Sequence, residues 1–399
     1  VLRAGPRPVA VLCAGSAVLL IGMGLRQAFA MFLHPVTTEL HWSRESFSLG
    51  IAVQLLVWGF SQPVAGAIAD RYGTGRVVFG GGLLYAAGVG LSALAWSPVH
   101  FGLTVGCMVG MGMGGAGFAV VLAGMVRAMP PERSSLVMGI GTAAASVGQF
   151  LLVPLAAGLI SARGWAPALA LLAVVAAAMC PLGFALRGKP AARAEPAGGG
   201  ALAAARQAFA HPGFVMLTLG YFVCGFQLAF IGNHLPAYLE DLGSSAAAGA
   251  MALSLVGLCN VVGCLVFGAL GDRYPKKHLL ASIYLARAVA ITWFVLAPPS
   301  LPGLVAFAAV MGFLWLSTVP LTTGLVTELL GSAHLAMLGG LVFCSHQVGS
   351  FLGVWLGGLI FDHTGSYTAV WWASVVLGLL SAALHLGIRR APRTAVALA

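Results

Sequence analysis

The chain has 399 residues, of which 60% are apolar and only 8% charged, with a mean hydropathy of +0.98; an ordinary soluble domain carries roughly 25% charged residues. The formal net charge of +10 invites a nucleic-acid reading, yet the bases sit between apolar stretches and form no basic patch interleaved with aromatics. Composition thus excludes a soluble enzyme and a nucleic-acid-binding domain, and makes lipid the main solvent.

A bilayer crossing needs about 20 mainly apolar residues. That ruler predicts six spans at 9–33, 46–69, 77–96, 100–126, 136–161 and 166–186, then six more at 212–239, 246–270, 279–297, 302–329, 337–361 and 368–388. The first follows Arg3 and Arg7 and ends near Ala28-Phe29-Ala30, a pattern shared with cleaved signal peptides. An internal repeat sets it opposite a later span, so it is expected to be a retained helix. In the fourth span, Gly110-Met111-Gly112-Met113-Gly114-Gly115 reads as a packing seam, because small residues let helix backbones approach in lipid. A phosphate-cradling loop would need a preceding strand and a nearby Lys. The long polar break at 187–210 separates a half at 1–187 from one at 211–399 through a cytoplasmic linker at 188–210, in which Leu202, Arg206 and Phe209 are spaced for a short interfacial helix. The seven cysteines all fall within spans, without CxxC pairs or metal-ligand spacing. They read as small packing residues, and neither metal nor cofactor is expected.

Charge placement orients the spans. With both termini on one side, 16 of the 20 Lys and Arg residues fall on that side, only Arg44 and Arg163 oppose them, and Arg26 and Arg287 lie within spans. Loops rich in Lys and Arg stay cytoplasmic, so both termini are expected there.

One offset of about 201 residues aligns separate stretches. Gly66-Ala67-Ile68-Ala69-Asp70-Arg71-Tyr72 recurs as Gly268-Ala269-Leu270-Gly271-Asp272-Arg273-Tyr274, Gly24 and Pro35 as Gly225 and Pro236, and Val147-Gly148 as Val348-Gly349. Six helices per copy give both halves the same orientation and place a cavity between them. The pattern Gly66-x-x-x-Asp70-Arg71-x-Gly73-x-x-Arg76, with its second copy at Gly268, Asp272 and Arg273, resembles the signature of the major facilitator superfamily. The resemblance spans the whole chain. It implies an all-α membrane protein of twelve transmembrane helices in two six-helix bundles, a multi-pass monomer in a bacterial cytoplasmic membrane. By the same resemblance, the acids and bases of the motif gate the cytoplasmic side.

All ten carboxylates fall at span ends or in the segments between spans, leaving none for the membrane interior. Proton coupling, if used, then falls to histidine or to the substrate. An arginine at bilayer depth costs at least about 2.5–3.5 kcal/mol unless it is compensated, which makes Arg26 and Arg287 candidate anion sites. Gln27 adjoins Arg26, and Gln227 is its repeat partner. On the seventh span Gln227, His234 and Tyr238 share a helical face. His346 and Ser350 stand one turn apart on the eleventh, and Asn260 lies on the eighth. Glu132 through Pro154, then Gly164-Trp165, resembles the monocarboxylate and oxalate-formate porter group. That resemblance implies small carboxylates as substrates, with a proton or a counter-anion as companion. Asn260 and Cys264 stand where monocarboxylate porters place an Asp and an Arg, so their proton mechanism does not carry over.

The expected function is therefore secondary transport of a small organic anion. Binding falls to Arg26, Gln27, Gln227, His234, Tyr238, Asn260, Arg287 and His346. The alternative is efflux of drug-like molecules through a cavity containing Trp58, Phe150, Phe230, Trp315 and Phe343. A membrane-embedded enzyme is disfavoured by the absence of HExxH, GxSxG and in-span acids.

Overall fold

The computed structural model describes residues 8–130, 134–187, 201–297, 300–331 and 335–389, without the side chains of Asp70 and of positions 134–136, 201–202 and 335–336. Asp70's role in the motif, Leu202, and the bases Arg3, Arg7, Arg133, Lys189, Arg193, Arg390 and Arg393 therefore fall outside the description.

The described chain is helical throughout. The first half contains α1 (Pro8–Glu39), α2 (Arg44–Tyr72), α3 (Thr74–Ser92), α4 (Pro98–Arg127), α5 (Ser134–Arg163) and α6 (Trp165–Leu186). The second contains α7 (Pro212–Asp241), α8 (Ala246–Arg273), α9 (Lys276–Leu296), α10 (Leu301–Leu330), α11 (Leu335–Thr364) and α12 (Thr368–Gly387). A short helix, Ala201–Ala210, precedes α7. Among the described residues 11 helices qualify as membrane spans by length and composition. The one left out is α3, where Arg76 and a run of glycines hold the hydropathy down, yet it joins the end of α2 to the far end of α4 and must cross with them.

Helices meet where glycines remove side chains. A Cβ on Gly24 of α1 would stand 2.5 Å from the carbonyl oxygen of Gly148 on α5, and one on Gly148 would overlap that of Leu20. The same seam recurs between α7 and α11, where Gly225 abuts His346 O and Gly349 abuts Phe222 O. Both pairs are related by the 201-residue offset, so the repeat preserves a backbone contact that admits no side chain. The Gly110–Gly115 run is likewise a seam, with Gly112 against Tyr85 N (2.7 Å from a built Cβ) and Gly115 against Gly81.

Two helices in equivalent places are interrupted. In α4 a π-helical stretch, Gly102–Val109, precedes a bend at Gly117, and in α10 the helix stops at Leu314 and restarts at Thr318. Helix α1 tightens to a 3-10 turn over Phe29–Phe32, directly after Arg26. Interruptions of this kind mark hinges or sites where side chains replace lost backbone bonds.

Candidate functional site

We call the side on which α1 begins and α12 ends the terminal face, and the other the distal face. The halves are fastened distally. Arg44 grips the Asp241 carboxylate with both terminal nitrogens at 2.6 Å, donates to Tyr367 Oη at 2.9 Å and lies 3.8 Å over the Phe361 ring. The Asp362 carboxylate accepts from the backbone N–H groups of Arg44 (3.0 Å) and Glu45 (2.6 Å), and His34 stands 3.1 Å from Glu240. Deeper in, three glutamines each donate to a carbonyl of the opposite half: Gln27 to Gly232 (2.7 Å), Gln149 to Leu253 (2.7 Å) and Gln347 to Leu55 (2.8 Å).

Toward the terminal face these ties cease. Among the described residues, the hydrogen bonds between halves reach no nearer to that face than Gly59 on α2, Ser146 on α5, Asn260 on α8 and Cys344 on α11. From Gly59 to Tyr72, and from Asn260 to Arg273, 1.5 Å per residue leaves about 20 Å of helix without such a tie. Gly66, Gly139, Gly268 and Gly339, on these same four helices, face open space. Among the described residues the halves are thus tied distally and at mid-depth and left untied toward the terminal face, a gap we call the vestibule.

The signature residues sit at the mouth of that vestibule. Gly73 turns α2 into α3 with a φ of 97°, a conformation that favours glycine. Beyond it Arg127, at the end of α4, hydrogen-bonds Thr74. The equivalent contact in the second half is an ion pair, Lys276 to Glu328, at 2.7 Å. Both latches lie within a half. Arg71 packs over its neighbour Tyr72, Arg76 is exposed, and Asp272 and Arg273 have no ion-pair partner among the described residues.

Arg26 lies about 27 Å along α1 from its start, near the closed end of the vestibule. One guanidinium nitrogen donates to Gln27 Oε1 at 3.0 Å, while its Nε is buried without a partner. No carboxylate pairs with it among the described residues.

Gln227, His234 and Tyr238 do share a face, but that face packs inside the second half. Gln227 donates to Ser374 O (2.9 Å), His234 lies between Tyr367 Oη (3.2 Å) and Val354 O (2.8 Å), and Tyr238 packs on Trp371 with ring centres 5.4 Å apart. Asn260 ties the halves together at mid-depth. It donates to Ser146 Oγ across the halves and accepts from Leu316 N in the α10 break, both at 2.8 Å. Arg287, fully buried, donates at 2.6 Å to the carbonyls of Leu314 and Trp315 at the same break. His346 is half-buried, 2.9 Å from Gln347 Oε1, and stacks on Phe343, which meets Trp58 of the first half. The structure thus brings Arg26 to Gln27, and gathers Asn260 and Arg287 around one helix break with His346 on a neighbouring helix.

Sequence reasoning took Gln27 for a binding residue rather than a clamp between the halves, and missed the Arg44–Asp241–Asp362 latch. An isolated Gln gives no pattern, but five acids (Glu39, Glu45, Glu240, Asp241 and Asp362) sharing the sparsely charged side with only two bases, Arg44 and Arg163, were a usable signal for the latch. A separate, mainly apolar groove of about 680 Å³ between α2, α3 and α4, lined by Phe60, Val64 and Ile68 and by Arg76, contains none of the clamp or latch residues.

Residues 12–277 and 217–398 match the Major Facilitator Superfamily. The chain belongs to that superfamily. It is 31% identical to rat monocarboxylate transporter 13 over 81% of this chain and 74% of that protein. It is also 27% identical to human monocarboxylate transporter 11 (96% and 83%) and to an uncharacterized MFS-type transporter, YcxA, of Bacillus subtilis (96% of each). The superfamily fold is shared with the crystal structure of a bacterial homolog of the human lysosomal transporter Spinster, with a TM-score of 0.76 at 16% identity over 96% of this chain and 97% of that one. The protein is a multi-pass membrane transporter of the secondary type and not an enzyme.

Proposed function

We propose that this superfamily member moves small organic anions, carboxylates first, by alternating access, and that Arg26 pairs the anionic group. The observation carrying this reading is a deep guanidinium with an unpartnered Nε and no carboxylate beside it. The relatives named as monocarboxylate transporters support the substrate class.

In this reading both termini face the cytoplasm of a bacterial cell, and the vestibule is the inward-open path. Gln27 and His346 line the anion's route, Asn260 and Arg287 hold the α10 break beside it, and Gln227, His234 and Tyr238 order α7 from behind. Gly66, Asp70, Arg71, Gly73 and Arg76, with Gly268, Asp272 and Arg273, close the vestibule when the halves rock together. The companion ion, a proton or a counter-anion, is read from the same assay.

A proteoliposome uptake screen of small carboxylates, with and without a pH gradient, tests the proposal. A hydrogen bond to a charged group contributes about 1.5–3 kcal/mol, so Arg26→Ala is expected to slow uptake about 10- to 100-fold, and Arg26→Lys to restore little of it. Uptake spared by both variants removes Arg26 as the anion site.

A further inference from the structure

Cys224 lies on α7 about 18 Å from its terminal end, level with Arg287 on α9 and His346 on α11 at about 17 Å. It is fully buried. Its Sγ stands 3.4 Å from Arg287 Nη1 and 3.4 Å from Thr318 Oγ1, and His346 lies alongside, its carbonyl against Gly225 and its ring 4.8 Å from that of Tyr221 on the preceding turn. We propose that Cys224 is a proton-binding site: a thiolate seated between Arg287 and Thr318 that exchanges its proton with His346.

The argument is one of charge. Arg287 is 0% exposed, and a buried cation lacking a counter-charge is strongly unfavourable. The carbonyls of Leu314 and Trp315 solvate it but carry no net charge. Among the described residues every carboxylate lies at a helix end, well away from this level. The ionisable groups facing the cluster are Tyr221 on α7, Cys264 on α8, Tyr284 on α9, His346 on α11 and, stacked on Tyr284, His385 on α12. Of the acids among these, a free thiol gives up its proton more readily than a phenol, at about 8.5 against 10. Only the Cys224 thiol touches the guanidinium through a hydrogen bond. Cations beside a thiol are what produce stable thiolates elsewhere.

His346 supplies the path. It packs on Tyr221 at a ring distance of 4.8 Å and on Phe343, whose ring meets Trp58 of the other half, so its helix face borders the space between halves. In the transfer the imidazolium N–H bond breaks as the S–H bond forms, leaving neutral His346 and a neutral thiol. Arg287 then holds a net positive charge that an anion can balance. The use of this site in coupling rests on the transporter reading above, whereas the protonation of the thiol does not.

Infrared spectroscopy of the S–H stretch in the purified full-length protein tests the proposal without substrate. The chain has seven cysteines. The expected intensity is that of six thiols at neutral pH and seven after mild acidification. Cys224→Ser should remove the pH-dependent step and leave a constant six, and Arg287→Gln should abolish the step by keeping all seven protonated. Seven thiols at both pH values in the unmodified protein, a measurement needing no variant, overturns the proposal. So does a step that survives in Cys224→Ser. Failure of carboxylate uptake in proteoliposomes, by contrast, bears only on the transport reading.

Discussion

Neutralising Asp241 offers a direct measure of how firmly the distal face is held. In Asp241→Asn the Arg44 guanidinium loses a carboxylate that it grips through two contacts of 2.6 Å, while its contacts with Tyr367 and Phe361 remain. A fully buried charge-assisted hydrogen bond contributes about 1.5–3 kcal/mol. The two side chains here keep 12% and 29% of their surface exposed, and solvent screening reduces each bond to about 1 kcal/mol. The pair therefore favours the closed face by about 2 kcal/mol, close to a 30-fold change in the closed-to-open ratio. The reporters are already in place: the backbone N–H groups of Arg44 and Glu45 donate to Asp362 in the other half and exchange freely only when the halves part. Hydrogen exchange read by mass spectrometry should show the peptide containing them exchanging about 30-fold faster in the variant. Exchange within twofold of the parent in a monodisperse variant would refute the idea that this ion pair holds the gate.

Three further outcomes follow from the packing. Gly148→Ala places a methyl group against Leu20 O in the α1–α5 seam and is expected to lower the melting temperature sharply or abolish monodisperse expression, while Gly139→Ala, nine residues nearer the terminal face in open space, leaves both unchanged. Gln347→Leu removes one clamp on Leu55 O, and polar bonds between membrane helices average about 0.6 kcal/mol. Thermal unfolding of that variant should shift only slightly, with the larger effect on the rate of distal opening. Gly73→Ala forces a positive φ of 97° on a residue with a Cβ, at a cost of about 1–3 kcal/mol, and a loss in melting temperature checks it.

The twelve spans were legible because lipid imposes length and composition on each helix, and α3 was the faintest because packing against α4 demanded glycines at the expense of hydropathy. The repeat was legible for a related reason. Gly24, Gly148, Gly225 and Gly349 are held by close backbone contacts that tolerate no substitution by a larger residue. Side-chain direction was not legible to the same degree. Helical spacing put Gln227, His234 and Tyr238 on one face, but the neighbour that face meets is decided by Tyr367 and Trp371 from α12 and its approach, over 120 residues away in sequence. Arg287 was read as a candidate anion site, whereas in the structure its guanidinium is bonded to carbonyls. Which carbonyls it meets depends on where α10 breaks, and Trp315-Leu316-Ser317 contains neither Gly nor Pro to announce the break. Cys224 read as filler for the same reason that its neighbours were invisible, since they arrive from α9, α10 and α11.

Asn260 gives the interrupted α10 a mechanical meaning. Its amide nitrogen is tethered to Ser146 on α5 of the first half, while its oxygen holds the Leu316 N–H of α10 in the second. One rigid planar group therefore acts as a crank between a moving bundle and a joint. When α5 swings away from α8, the two tethers cannot both keep their length, and the strain falls on the three residues of α10 that have the fewest helical bonds to lose. In the proposed cycle, rocking of the bundles would thereby be converted into a local change of shape at mid-depth, beside Arg287.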